Sequence, residues 1–89
     1  MIVEKLVNKT KEHYEFAMEM GDVYSIVSVI KGYQTFTNLY GLDMITTKTF
    51  DKYFNNLYTM ANNVYNQYIH DNEEMNKNVK TILSIPFVE

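Results

Sequence analysis

Few side chains in this 89-residue sequence could carry chemistry of their own, and none stands in a pattern that such chemistry requires. His13 and His70 are the only two histidines, and cysteine is absent. A zinc-type centre needs three or four ligands, and no spacing of these two histidines assembles them. Without a thiol there is no cysteine nucleophile, no thiolate metal site and no disulfide framework. General acid–base work needs a partnered group in a cleft, and no such group stands out. Gly21, Gly32 and Gly41 fall about ten residues apart, at the spacing of helix ends rather than of a phosphate-cradling loop. The sequence predicts a protein that is not an enzyme and carries no metal or cofactor.

Recognition chemistry is better supplied. Eight tyrosines offer flat stacking area, each with one hydroxyl, at small entropic cost. Asn55, Thr59, Asn62 and Asn66 offer hydrogen bonds without the desolvation penalty of a charge. With Lys31, Tyr33, Tyr40, Tyr58, Tyr65 and Phe87 they make up the candidate contact set for a protein partner. The alternative ligand is a small nucleotide, held between subunits by Tyr, Asn and Lys. Against both stands a plainer reading, in which tyrosine at helical spacing fills half-buried bundle positions and Asn lines a solvated face. Nucleic acid is not an expected partner: the net charge is −3 and arginine, the guanine-reading side chain, is missing.

The elements that would position these residues read as helices. Residues 2–20 place Ile2, Leu6, His13, Phe16, Ala17 and Met20 near one face, flanked by Val3, Val7, Tyr14 and Met18. Gly21 then stops the helix and Asp22 caps the next, which demands an αα-hairpin. Between Asp22 and Asp43 the only charge is Lys31, and apolar residues cover most of a helical wheel over 22–40. The β-branched run Val23–Ile30 is open to a strand reading, but the helical period continues past Gly32 to Tyr40, with Gly41 as the cap. A helix so apolar is buried on several sides, and a second copy is the expected cover.

Residues 46–69 form the clearest helix, with Thr46 as N-cap and Ile45 and Phe50 spaced as a hydrophobic staple. Phe50, Phe54, Leu57, Ala61, Val64 and Tyr68 follow at intervals of three and four, and the opposite face is Asn and Thr. Asp71 and Glu74, at capping-box spacing, start a fourth helix over 72–83, and Pro86 sends residues 84–89 away as an extended apolar tail. The expected fold is all-α: one domain of three to four helices built on an N-terminal αα-hairpin and completed by oligomerisation.

Charged Glu4 and Lys5 stand where a secretory signal needs an apolar core, and no stretch is apolar enough to span a membrane. The expected location is the cytoplasm, which the missing cysteines suit. Abundant Phe, Tyr, Met, Ile, Asn and Lys, with little Gly, Ala, Arg or Pro, mark an AT-rich gene. Such a gene, small size and no visible active site fit a phage or mobile-element accessory factor. The expected function is a self-associating, non-catalytic protein that modulates or inhibits a larger host protein.

Overall fold

A computed structural model describes residues 2–83, Ile2 by its backbone alone. The expected tail over 84–89, and Phe87 with it, lies outside the described residues. Within them the chain is all-α and contains no strand, so the strand reading of 23–30 does not apply. The helices are α1 (Ile2–Met20), α2 (Val23–Gly41), α3 (Thr47–Val64) and α4 (Glu73–Leu83). A π-helical turn, Tyr65–Ile69, extends α3.

The α1–α2 junction follows the local chemistry of Gly21 and Asp22. Gly21 adopts φ 66°, a left-handed value that only glycine takes without strain, and its N–H donates to the Ala17 carbonyl at 2.7 Å. Asp22 accepts from the Ser25 backbone N–H at 3.0 Å, capping α2. At the start of α3, Thr46 Oγ1 accepts from the Thr49 N–H at 3.2 Å, and Ile45 and Phe50 both pack against the core.

Two caps differ from expectation. Gly41 is the last residue of α2, and Asp43, at φ 57°, takes the left-handed position. The Asp43 and Met44 N–H groups donate to the Tyr40 and Leu39 carbonyls, closing a Schellman turn two residues later than Gly41 suggested. Aspartate tolerates the left-handed region better than most side chains, so the helix need not stop at the glycine. The α4 cap is Asn72, whose Oδ1 accepts from the Met75 N–H at 2.9 Å, rather than Asp71. The turn that follows the π-helical segment takes up residues 70–71 and moves the start along by one.

Packing also corrects the face assigned to α1. Its buried residues are Val3, Val7, Thr10 and Ala17, with Leu6, Tyr14 and Met18 packed beside them. Phe16 and Met20, expected in the core, are 51% and 63% exposed. The inward face is rotated by roughly a quarter-turn from the one their hydrophobicity suggested. The turned face brings Thr10 against α2, so close that a β-carbon on Gly32 would run into its side chain. At that point of the crossing only glycine fits opposite Thr10.

α2 is the central helix and packs against α1, α3 and α4 of its own chain. Ile26, Val29 and Phe36 are fully buried, together with Leu57 and Val64 of α3. What α2 leaves in solvent is mostly polar: Tyr24, Gln34, Thr35 and Asn38. Burial of residues 23–40 therefore does not require the second copy expected as their cover. Three helices of one chain provide it.

Candidate interaction face

An aromatic seam joins α2 to α3. Tyr40 stacks on Phe50 at 4.1 Å between ring centroids, Phe50 on Phe54 at 4.8 Å, and Phe54 on Tyr58 at 5.8 Å. From α2, Phe36 stacks on Phe50 at 5.4 Å and Tyr33 touches both Phe54 and Tyr58 at 6.0 and 6.1 Å. Offset and tilted rings at these separations attract beyond the area they bury. Since the rings of α3 recur every four residues, the seam fixes the helix's rotation about its axis. That rotation sets which side chains face outward.

The outward side chains are the uncharged ones. Asn55, Thr59, Asn62 and Asn66 follow at intervals of four, three and four, and all four are exposed. Tyr58 and Tyr65 flank this stripe at 48% and 45% exposure. The Tyr58 ring lies beside those of Phe54 and Tyr33, which places it at the edge of the stripe. On the other flank Asn63 Nδ2 donates to the Tyr14 hydroxyl at 3.1 Å, tying the face to α1. No Asp, Glu, Lys or Arg occurs between Lys52 and Asp71.

Six of the candidate residues thus share one face of α3 and its π-helical extension: Asn55, Tyr58, Thr59 and Asn62 on α3, Tyr65 and Asn66 on the turn. Tyr33 adjoins it through Tyr58. Tyr40 stands at the far end of the seam, where its hydroxyl is 3.2 Å from Thr47 Oγ1. Lys31 is half-buried and, two residues from Tyr33, lies on a different side of α2. Within one chain, the Tyr, Asn and Lys set that a nucleotide would need is not brought together.

The hollow at the α2–α3 connection, about 570 Å³ and widely open, is lined by Tyr40, Gly41, Asp43, Met44, Ile45, Thr46 and Thr47. It contains one of the candidate residues and no cationic group. His70 and Asp71 are 3.7 Å apart and largely exposed, and no cluster of three metal-ligating side chains occurs among the described residues. Sequence reasoning missed the exposed Phe16, Met20, Tyr24, Leu42 and Met44. Phe16 and Met20 carried the wrong signal, because hydrophobicity alone placed them inside.

No family model, curated protein or solved structure matches the chain. No helix among the described residues is long and apolar enough to cross a membrane.

Proposed function

We propose that the chain is a non-catalytic interaction protein that binds a larger protein through the outer face of α3 and modulates or inhibits it by occupying its surface. The observation that carries this reading is the row Asn55, Thr59, Asn62 and Asn66, edged by Tyr58 and Tyr65 and free of ionic groups. Asn is a poor helix former and an unusual choice for a solvated helix surface, where Lys and Glu serve better. Its amide both donates and accepts, so it can pair with backbone or side chains of a partner. Desolvating such a face avoids the penalty attached to buried charge. Tyrosine at its edge supplies the anchoring area that protein interfaces favour.

The test is affinity capture from a lysate of the host cell with the wild-type chain and with N62K/N66K. Both positions are exposed, so the variant should melt within about 0.5 kcal/mol of wild type. A single protein retained in stoichiometric amount by wild type and lost by the variant supports the face. Capture that survives both lysines assigns binding to another surface. A nucleotide carried through purification would give excess absorbance at 260 nm, easily seen because the chain has no Trp. That result would favour the ligand-sequestering alternative.

A further inference from the structure

We propose that the outer face of α1 is a self-association surface that takes the α1 of a second copy in antiparallel orientation. Lys5, Lys9, Glu12, Phe16 and Glu19 recur at intervals of four and three, which makes one stripe along the helix, and all five are exposed. The stripe lies away from buried Val3, Val7, Thr10 and Ala17.

Its charges are segregated along the axis. Lys5, Lys9 and Lys11 occupy the first half of α1, where Glu4 is the one acid, and Glu12, Glu15 and Glu19 occupy the second. For a helix on its own this order is unfavourable twice over. Lysines toward the N-terminus and glutamates toward the C-terminus oppose the macrodipole, and the last turn contains no base. Like charges also sit one turn apart at Lys5 and Lys9, Glu12 and Glu15, and Glu15 and Glu19, and they outnumber the two opposite-charge neighbours, Lys9 with Glu12 and Lys11 with Glu15. None of these side chains forms an ion pair among the described residues.

A second α1 laid antiparallel offsets these effects. Its acidic half runs along the basic half of the first, and two-fold symmetry repeats the match at the other end. Phe16 of each copy then lies against the lysine half of the other, where the aliphatic stems cover the ring and the ammonium groups meet its face. Parallel pairing would set like charge against like. Each helix is about 28 Å long, so the contact falls at the small end of protein interfaces, and the dimer is weak and salt-sensitive. This surface is separate from the α3 face, and neither proposal rests on the other.

Sedimentation equilibrium of the full chain from micromolar to millimolar concentration tests it. Wild type should dimerise at low salt, and the association constant should fall about tenfold or more as ionic strength rises well above 0.1 M. The variants K5E/K9E and E12K/E19K should each be monomeric, while their equimolar mixture should form the heterodimer. Unchanged helical circular dichroism of both variants separates lost pairing from lost fold. A wild type that stays monomeric throughout at low salt overturns the proposal. So does dimerisation of either variant alone at wild-type strength, or a mixture that fails to pair.

Discussion

Gly32 and Thr10 meet where α1 and α2 cross, and any β-carbon at Gly32 would collide with the Thr10 hydroxyl and methyl. Thr10 cannot easily yield, because it is buried and its hydroxyl donates to the Leu6 carbonyl at 2.8 Å. Gly32→Ala should therefore destabilise the chain by about 1–3 kcal/mol, the usual range for overpacking, despite its gain in helix propensity. Thr10→Ala in the same chain removes the two closest atoms, so denaturant unfolding of both single variants and the double should show partial recovery. Strict additivity would mean that the two residues do not press on each other. Tyr68 works differently. Its hydroxyl donates to the Met18 carbonyl at 3.2 Å, one of the carbonyls that α1 leaves open at its end, and its ring lies against Gly21. Tyr68→Phe keeps the ring and should lose about 0.5–1.5 kcal/mol, read from the same unfolding curves.

The helices differ in how far local sequence determines them. Gly21, Asp22 and Thr46 were legible because each acts through a hydrogen bond or backbone conformation spanning three or four residues. The ends set by tertiary packing were not. Gly41 has nothing within 4 Å of an added β-carbon, so no steric demand ends α2 there, and the left-handed residue is Asp43. The start of α4 depends on how the π-helical turn delivers the chain, which no short motif announces. Asn72→Ala should consequently lower stability by about 1 kcal/mol, whereas Asp71→Ala should change it by less than about 0.5 kcal/mol. Equal effects, or the reverse order, would restore Asp71 as the cap. The candidate face was legible in the same partial way. The Asn and Thr interval on α3 showed which residues travel together, but only the Phe50, Phe54 and Tyr58 stack shows how their helix is turned. Lys31 belonged with them by residue type alone, and two positions along a helix are enough to separate it from Tyr33.

At the scale of the whole molecule, the decisive fact is that α2 is enclosed by its own chain. Apolar content read along a sequence says that a helix must be covered, not whose helices cover it. Because the core closes within one copy, the helical signal and melting temperature should persist on dilution to nanomolar concentration. Melting that shifts steeply with dilution would mean that the fold needs a second copy. Enclosure is uneven, however. α1, α2 and α3 each pack closely on the other two, whereas α4 makes its close backbone approaches to α2 and the π-helical turn. Amide exchange should therefore be faster at Val79 and Ile82 than at Ile26, Val29 and Leu57, with all five measured in one experiment.

The same lopsided attachment gives the molecule a seam along which to open. α4 can lift from α2 and the π-helical turn while α1, α2 and α3 keep their packing on one another.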